Sequence, residues 1–374
     1  MITIRIALAI VNLFSSGGLQ RDCIGIARRL MTRGHGVEIF CRTRDGAFPD
    51  LAITELPNRA LTNHGRTARF ANDLAAVTRG RFDVVAGFNK MPGLDLLYCA
   101  DPPARQPRSL IDRINPRTGA MRTLEAACFG PQSRTHLLLL AEPQRQDYES
   151  IWSLDRSRIE VLPPTIERMR AQPQLRGSDT RTEMRAKLGL ASSTLAWLFV
   201  AGFPQTKGFD RIVAALPVFP HVKVLCVGFG LNDAKCSRLA ARARKLGVEK
   251  QIVSLGRRDD IPSLMAAADL LVHPSRLDIT GTVILEAIVN GLPVITTSVC
   301  GYGPHVEAAD AGAVVGEPFD QAAFVAALGR ANDPAQRAQW SGHAAQYAAS
   351  TDLYSGLDRA ADAIENAAGK SVRR

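Results

Sequence analysis

The chain has 374 residues, a length at which one hydrophobic core usually gives way to two domains of roughly 150 to 200 residues. Apolar residues make up 46% of the sequence and charged residues 22%, which excludes collagen-like, disordered and miniature disulfide-stapled proteins. The formal charge of +10 favours an anionic partner, such as nucleic acid, anionic lipid or a phosphorylated substrate, and does not choose among them.

The first half of the sequence alternates apolar runs with helix-like stretches. Residues 4–11 predict a strand, residues 15–18 a turn and residues 19–33 a helix, which together make a βα unit. Gly, Pro and Asn bound the apolar runs that follow, as is typical of buried parallel strands. These further strands are predicted at residues 37–41, 51–56, 83–87, 135–141 and 158–162.

A second alternating series fills the rest of the chain. Its strands are predicted at residues 196–201, 222–228, 252–255, 270–273, 293–297 and 313–315, with helices at 233–246 and 261–268. This rhythm predicts an α/β protein with two domains that contain mostly parallel sheets. Because open α/β sheets bind ligands beyond the carboxyl ends of their strands, we expect the ligand site in the cleft between the domains.

The domain boundaries are predicted from breaks in this rhythm. We expect an N-terminal domain over residues 1–165 and a C-terminal domain over residues 166–350. Pro163, Pro164 and the polar stretch 168–182 predict a linker or hinge. Residues 351–374 are expected to form a final helix that packs back toward the N-terminal domain.

Cysteine usage and hydropathy predict a cytoplasmic protein. The seven cysteines include no C-x-x-C pair, so we expect reduced, buried thiols. The longest apolar runs, such as residues 137–141, fall far short of the roughly 20 residues that a membrane-spanning helix needs. The apolar run at residues 6–11 is short for a signal peptide and has no cleavage site after it.

Gly17 and Gly18 stand between the first predicted strand and its helix. At such a turn, backbone N–H groups and the helix dipole favour an anionic ligand, which makes the pair a candidate phosphate loop. A glycine pair here also serves a purely structural turn. The full G-x-G-x-x-G pattern is absent, so a nicotinamide cofactor is poorly supported.

Two carboxylates, Asp278 and Glu286, stand eight residues apart across a predicted strand-to-helix loop. Gly281 and Thr282 open the helix, where free backbone N–H groups can bind a diphosphate. Glu286 is placed to accept hydrogen bonds from ribose hydroxyls, and Asp278 from the hydroxyls of a hexose. The competing interpretation is a helix-capping aspartate and a solvated glutamate.

Lys207 follows the first predicted strand of the second domain and is a candidate to neutralise a departing diphosphate. The alternative interpretation is a surface lysine at a turn.

Residues 257–260, two arginines and two aspartates, either border a nucleobase or cap a helix. No two aspartates are spaced i, i+2, and the His, Cys and carboxylate residues show no zinc spacing. We therefore predict a site that uses cationic side chains and helix termini, without a metal or a cofactor.

Six strings of the sequence resemble the lipopolysaccharide core glucosyltransferase I family, which are retaining, metal-independent GT-B glycosyltransferases of the family 4 type. They lie at residues 17–22, 63–65, 87–95, 264–270, 285–287 and 297–302. The resemblance runs over nearly the whole chain, and the string at residues 87–95 is its most specific part. It implies a GT-B fold, in which two Rossmann-like domains face each other across a cleft.

The resemblance also implies a reaction, the transfer of glucose from UDP-glucose to a heptose of the lipopolysaccharide inner core with retention of the anomeric configuration. Retention is thought to proceed by front-side attack, in which the donor phosphate accepts the proton of the acceptor. The resemblance assigns roles to residues of this sequence: Gly17 and Gly18 contact the diphosphate, Lys207 neutralises it, Gly281, Thr282 and Val283 present backbone N–H groups, Glu286 holds the ribose, Asp278 binds the transferred sugar and Asp101 lies near the acceptor.

The sequence departs from the family pattern at two places. The first carboxylate of the E-x7-E motif is normally Glu, and Asp278 is one methylene shorter. The family usually supplies an arginine close to the diphosphate lysine, yet residues 202–206 contain no cation. These departures leave two alternatives, a related hexosyltransferase with another nucleotide-sugar donor and a catalytically weakened homologue that binds sugar nucleotides.

Residues 102–134 combine basic and apolar side chains, with only two acidic residues among them. The arginines are Arg105, Arg108, Arg113, Arg117, Arg122 and Arg134, and the interleaved apolar residues include Leu110, Ile111, Ile114, Met121, Leu124 and Phe129. This pattern favours peripheral attachment to an anionic membrane, on the cytoplasmic face of the inner membrane, next to a phosphorylated acceptor. A solvated insertion is the alternative. Nucleic acid is not expected, because the arginines lack an aromatic stacking pattern.

Overall fold

The chain forms two compact units, and the computed structural model describes residues 3–14, 17–58, 60, 62–104 and 116–371. One unit comprises the residues up to Pro164 together with those from Ser355 onward, and the other comprises Thr165–Tyr354. The first division falls one residue before the boundary predicted at 165, and the second falls four residues after the one predicted at 350.

A seven-stranded sheet forms the centre of the first unit. Its strands are β1 (Arg5–Phe14), β2 (Gly36–Asp45), β3 (Ala52–Glu55), β4 (Val84–Gly87), β5 (Leu96–Cys99), β6 (His136–Leu139) and β7 (Ile159–Val161). They lie in the order β3-β2-β1-β4-β5-β6-β7, and all paired strands are parallel. The sequence did not predict β5, because a four-residue apolar run cannot be told from a buried helical segment by periodicity.

Helices cover both faces of this sheet. They are α1 (Gly18–Thr32), α2 (Asn63–Thr78), α3 (Pro116–Phe129) and α4 (Glu142–Glu149). Strand β1 shows why both faces need cover, since alternate residues such as Leu8 and Ala9 point into two different apolar clusters. One cluster includes Leu30 of α1, and the other includes Phe70 of α2 and Phe129 of α3.

The second unit is built on a six-stranded parallel sheet. Its strands are β8 (Leu195–Val200), β9 (Val222–Val227), β10 (Ile252–Gly256), β11 (Leu270–His273), β12 (Val294–Thr297) and β13 (Gly312–Val315), in the order β10-β9-β8-β11-β12-β13. The helices are α5 (Asp179–Lys187), α6 (Phe209–Ala215), α7 (Ser237–Lys245), α8 (Ile261–Ala267), α9 (Thr282–Val289), α10 (Gly303–Ala308), α11 (Gln321–Arg330) and α12 (Pro334–Ser350). The strands start and end within two residues of the predicted positions.

The polar stretch 168–182 is not a linker but part of the second unit. It forms two short 3-10 turns and then the start of α5. The guanidinium of Arg176 donates to the carbonyl oxygens of Met265 and Ala268, and that of Arg181 donates to Ala266 and Ala268. These arginines satisfy the unpaired carbonyl groups at the end of α8, so the polarity that predicted a linker has a structural cause.

The last helix, α13 (Gly356–Ser371), belongs to the first unit. Its buried face carries Leu357 and Ile364 into the same apolar cluster as β1 and α1. On the rim of this contact, Arg33 pairs with Asp362 at 2.8 Å and with Glu365 at 3.0 Å. Helix α13 therefore contributes to the same apolar core as β1 and α1.

All seven cysteines are buried and unpaired, which confirms the prediction of reduced thiols. Across the described part of the chain, every helix is too short or too polar to cross a bilayer.

Candidate functional site

The sheet of the second unit changes its direction of growth between β8 and β11. The chain forms β8 first, adds β9 and β10 on one side, and then returns to add β11, β12 and β13 on the other. The loops at the carboxyl ends of the two strands beside such a reversal diverge and leave a ligand-binding crevice. The loop after β8 carries Lys207, and the loop after β11 carries Asp278. Both predicted residues therefore stand where the topology favours a ligand.

Lys207 and Asp278 form an ion pair. The Lys207 Nζ lies 2.7 Å from Asp278 Oδ2, and it also donates to the carbonyl of Leu277 at 3.2 Å. Gly208 allows the two loops to approach, because it adopts a left-handed φ of 77° and a Cβ there would collide with the carbonyl oxygen of Pro274. The glycine after the lysine is thus what brings the lysine beside the carboxylate.

His273, which the sequence analysis did not single out, supports Asp278 from behind. It ends β11 with only 2% of its side chain exposed, and its Nε2 lies 2.8 Å from Asp278 Oδ2. Since a carboxylate only accepts hydrogen bonds, Nε2 carries the hydrogen. The Nδ1 atom is buried and has no hydrogen-bond partner in the described structure.

The carboxyl of Asp278 is held in its ionised form. Burial opposes ionisation, but the hydrogen bond from His273 and the charge and hydrogen bond of Lys207 outweigh it, so the pKa of Asp278 lies below its usual value. Both partners contact Oδ2. Within the described residues, Oδ1 accepts no hydrogen bond, and it remains available to a ligand that carries hydroxyl groups.

Cys300 lies next to this pair, through a one-residue β-bridge with Asp278. Ligand atoms of His273, Asp278 and Cys300 lie within 4.8 Å of one another. A metal ion here would need a thiolate and the Asp278 oxygen that already holds the Lys207 ammonium. Burial and then the charge of Asp278 raise the pKa of the Cys300 thiol. In this structure the cation beside Asp278 is the ammonium group of Lys207.

Asp278 leads into the N-terminus of α9, where the first backbone N–H groups have no partner within the helix. Gly281 is the N-cap residue, with a left-handed φ of 78°, and a Cβ on it would lie 3.4 Å from Asp278 Oδ2. Thr282 and Val283 follow as half-buried residues, and Glu286 lies about one turn into the helix. The predicted donor-binding residues of the second unit therefore meet at one helix end.

The predicted phosphate loop of the first unit also begins a helix. Gly17 is the N-cap residue of α1 and Gly18 is its first residue. A Cβ on Gly17 would collide with the side chain of Gln20, whereas one on Gly18 would meet open space. The backbone of Gly17 is extended, with φ −98°, so a side chain there would require Gln20 to move but is not excluded by the turn. Ser15 and Ser16 lie outside the described residues, and contact of this loop with a diphosphate stays a prediction.

Asp101 follows β5 and borders a buried polar network. Its main-chain carbonyl accepts hydrogen bonds from the Tyr148 hydroxyl at 3.0 Å and from the Gln144 amide at 3.1 Å. Although the residue is exposed, its dense surroundings raise the pKa of the carboxyl; Lys90 opposes this shift and Glu125 adds to it. The loop that carries Asp101 is thus fixed through its backbone.

Lys90 and Glu125 form a buried ion pair that the sequence analysis missed. Their side chains are 7% and 0% exposed, and Nζ lies 2.5 Å from Oε2. Glu125 also accepts hydrogen bonds from the backbone N–H of Ala104 and from Trp152 Nε1, and Lys90 donates to the carbonyl of Pro102. A pair with this many hydrogen bonds offsets its desolvation and ties the loop after β5 to α3. In the sequence, the feature that could have revealed this pair is Lys90, a lysine among apolar residues of the string at residues 87–95.

Arg276 supplies a cation beside the loop of residues 202–206, which has none of its own. Its guanidinium donates to the carbonyl of Gln205 at 2.9 Å and to both carboxylate oxygens of Asp210 at 2.7 Å. Its backbone N–H donates to Thr206. Arg276 stands two positions before Asp278, so its place in the sequence could have indicated a cation close to the predicted site.

The basic segment is only partly described. Arg105, Arg108, Arg113, Leu110, Ile111 and Ile114 lie outside the described residues. Arg117, Arg122 and Arg134 are exposed, as is Met121 at 44%. Leu124 and Phe129 are buried in the core of the first unit, so they do not take part in a membrane-facing surface, contrary to the sequence interpretation.

Comparison with known proteins identifies the family. Residues 180–346 match the family described as glycosyl transferases group 1. The chain is 34% identical over 370 residues to lipopolysaccharide glucosyltransferase WaaG of Escherichia coli (strain K12), which covers 96% of this chain and 98% of the relative. The chain belongs to the WaaG family. It is a glycosyltransferase.

Solved structures agree with this membership. The crystal structure of WaaG matches the fold with a TM-score of 0.85 and 33% identity over 96% of this chain and 99% of that one, so this WaaG relative has the GT-B fold. A structure of Anabaena HepE with UDP and glucose has a TM-score of 0.74 at 18% identity over 97% of this chain and 99% of that one, and it shares the fold. A D-inositol 3-phosphate glycosyltransferase of Mycobacterium marinum is 28% identical over 89% of this chain and 78% of the relative.

Proposed function

We propose that this enzyme transfers glucose from UDP-glucose to a heptose of the lipopolysaccharide inner core, with retention of the anomeric configuration and without a metal ion. The observation that carries the proposal is the Lys207–Asp278 pair at the sheet reversal, beside the N-terminus of α9. It stands in a chain that is 34% identical to lipopolysaccharide glucosyltransferase WaaG.

The donor diphosphate is bound by positive charge from the second unit. Lys207 is a compact ammonium that can follow the diphosphate as negative charge develops on it. The N–H groups of Gly281, Thr282 and Val283 and the dipole of α9 add fixed positive potential at the same place. Glu286 accepts hydrogen bonds from the ribose. These groups supply the charge stabilisation for which other enzymes recruit a divalent cation, which supports metal independence.

Asp278 is proposed to bind hydroxyl groups of the transferred sugar through Oδ1. His273 and Lys207 hold the carboxylate through Oδ2, which limits the freedom of the shorter side chain. In front-side attack, the bond between the anomeric carbon and the donor phosphate breaks, and the acceptor oxygen bonds to the same face of that carbon. The proton of the acceptor hydroxyl passes to a phosphate oxygen. Asp278 positions the sugar and is not the nucleophile of a double displacement.

The acceptor and the membrane are assigned to the first unit. Asp101 is proposed to lie near the acceptor heptose, and Gly17 and Gly18 to contact the donor diphosphate. The arginines of residues 102–134 are proposed to attach the enzyme to the cytoplasmic face of the inner membrane, where its phosphorylated acceptor is anchored. Exposure of Arg117 and Arg122 on α3 supports this assignment.

Turnover with defined substrates tests the proposal. The purified enzyme is incubated in EDTA with UDP-glucose and a heptose-terminated inner-core acceptor, and the product is examined by NMR. We expect an α-linked glucose and no dependence on added Mg²⁺ or Mn²⁺. UDP-galactose, GDP-glucose and ADP-glucose serve as matched donors. Faster transfer from any of these would replace the assigned donor, and a β-linked product would contradict retention.

A catalytically weakened homologue would behave differently. It would bind UDP in calorimetry but release none from UDP-glucose in a single turnover with the acceptor present. Lys207→Met serves as the low-activity control in the single-turnover measurement.

A further inference from the structure

A groove of about 490 Å³ opens in the second unit beside the loop that leads to Lys207. Its polar lining consists of Gln205, Thr206, Asp210, Arg238, Arg242 and Arg276. Lys207 and Asp278 are not among the lining residues, so the groove opens beside their ion pair and not on it. Three arginines against one aspartate make it a strongly basic feature of this unit.

Only one of the three arginines is neutralised within the groove. Arg276 holds both carboxylate oxygens of Asp210 at 2.7 Å, and it also bonds to the carbonyl of Gln205. Burial opposes ionisation of Asp210, but Arg276, with a smaller contribution from Arg242, lowers the pKa of its carboxyl. The single negative charge of the groove is therefore already committed to Arg276.

Arg238 and Arg242 have no such partner. They lie four residues apart on α7 and so share one face of that helix. Both are exposed, and in the described structure neither side chain forms a hydrogen bond or an ion pair. Like charges at this spacing repel, and Arg238 stands in the first turn, where the helix dipole is also positive. An anion bound beside them would relieve both repulsions.

We propose that this groove is a second binding site and that its ligand is the phosphate monoester of a saccharide. Planar guanidinium groups match the oxygens of a phosphate, and two on one helix face can hold it together. The volume falls within the range of small-molecule sites and exceeds what a bare phosphate needs. The amide of Gln205 and the hydroxyl of Thr206 can bond to sugar hydroxyls. This site goes beyond the proposed function, which assigns the nucleotide sugar to Lys207, Asp278 and the start of α9.

Calorimetry at low ionic strength tests this site with glucose 6-phosphate as the ligand. Saturating UDP is present so that the donor site is occupied. We expect binding of glucose 6-phosphate under these conditions and a roughly ten- to hundredfold loss of affinity in the double variant Arg238→Ala/Arg242→Ala. The matched control, Arg244→Ala/Lys245→Ala, removes the same charge from residues of α7 that do not line the groove, and we expect wild-type affinity from it.

Three outcomes would overturn the proposal. The first is no binding of glucose 6-phosphate in the presence of UDP, and the second is an equal loss of affinity in both double variants. The third is binding of inorganic phosphate as tight as that of glucose 6-phosphate, which would leave the saccharide without a role. UDP affinity is measured in every variant and is expected to stay unchanged. A wild-type enzyme that fails to bind UDP would contradict the proposed function instead and leave the test of the groove to glucose 6-phosphate alone.

Discussion

At the scale of single residues, the proposed donor site depends on how one carboxylate oxygen is shared. Asp278 Oδ2 contacts His273 Nε2 at 2.8 Å and Lys207 Nζ at 2.7 Å. One neighbour is a buried ring N–H of a histidine, and the other is the half-buried ammonium of a lysine. The histidine therefore fixes the carboxylate, and under the proposed function the lysine exchanges Asp278 for the diphosphate when the donor arrives. The two contacts together give the Asp278 carboxylate a defined position despite its short side chain.

Asp278→Asn keeps the size of the side chain and removes its charge. Because charge-assisted hydrogen bonds to the sugar are lost, we expect kcat/KM for UDP-glucose to fall roughly ten- to hundredfold while UDP affinity stays near that of the wild type. Steady-state kinetics and UDP calorimetry measure the two effects. Loss of UDP affinity equal to the loss of kcat/KM would show that Asp278 does not act on the sugar.

The pH dependence of activity follows from the same contacts. The pKa of Asp278 is lowered in the folded enzyme, so its ionised form persists as the pH falls below the usual range of an aspartate. Stability from this group is likewise present above the pKa of the unfolded chain and is lost as the pH falls through the lowered value. In Lys207→Met, one source of this shift is gone, and we expect the acid limb of kcat/KM to move to higher pH. An unmoved limb in the variant would contradict the assignment.

The sequence singled out Lys207 and Asp278, which the structure places in one ion pair, but it missed the residues that support them. The roles of both residues toward the donor stay predictions. Lys207, Asp278 and Glu286 are polar residues at loops and helix starts, where spacing carries information. His273 and Lys90 are polar residues within apolar runs, and their roles depend on partners that are distant in sequence, such as Glu125 for Lys90. Pattern analysis does not reach such pairs, because only the folded sheet brings them together.

At the scale of elements, the last helix is a structural part of the first unit. Helix α13 packs on α1 through Leu357 and Ile364, and Arg33 pairs with two of its carboxylates. These ion pairs are half-exposed and contribute little by themselves. The apolar contact therefore provides most of the stabilisation.

Ile364→Ala tests this contact. The side chain is only 1% exposed, so its truncation leaves a cavity, and we expect a loss of about 2 to 4 kcal/mol in the free energy of unfolding of the first unit. Hydrogen exchange of β1 and α1 should accelerate, while that of β8 stays unchanged. The control Asn366→Ala lies on the exposed face of the same helix and should change neither. Equal effects from the two variants would contradict the packing described here.

Elements were predicted well where their pattern is local. The strands of both sheets were recognised from apolar runs bounded by turn residues, with β5 as the exception. The stretch 168–182 was misread because its arginines face carbonyl groups at the end of α8, about ninety residues away in the sequence. Polarity in a sequence does not distinguish a solvated linker from a segment that caps a distant helix.

At the scale of the whole molecule, the positive charge is the property that the fold does not explain. The net charge is +10, and the first 170 residues hold 24 basic against 17 acidic residues. A positive excess favours anionic partners, which in the proposed function are the phosphorylated acceptor and the membrane surface.

Replacement of the six arginines of residues 102–134 by glutamine tests the membrane assignment. Each basic residue near an anionic surface contributes about 1 kcal/mol, so we expect the variant to lose binding to vesicles that contain phosphatidylglycerol. The six arginine-to-lysine replacements keep the charge and should retain most of the binding. Retained binding of the glutamine variant in vesicle sedimentation would count against this surface.

The most direct test of the central claim is calorimetry of UDP-glucose in EDTA with the wild-type enzyme and with Lys207→Met. If the second unit binds the diphosphate through Lys207 and the start of α9, the wild type binds the donor without any divalent ion, and the variant binds it at least about tenfold more weakly. Binding that appears only after addition of Mg²⁺ or Mn²⁺, or an affinity that is the same in both proteins, would contradict the account.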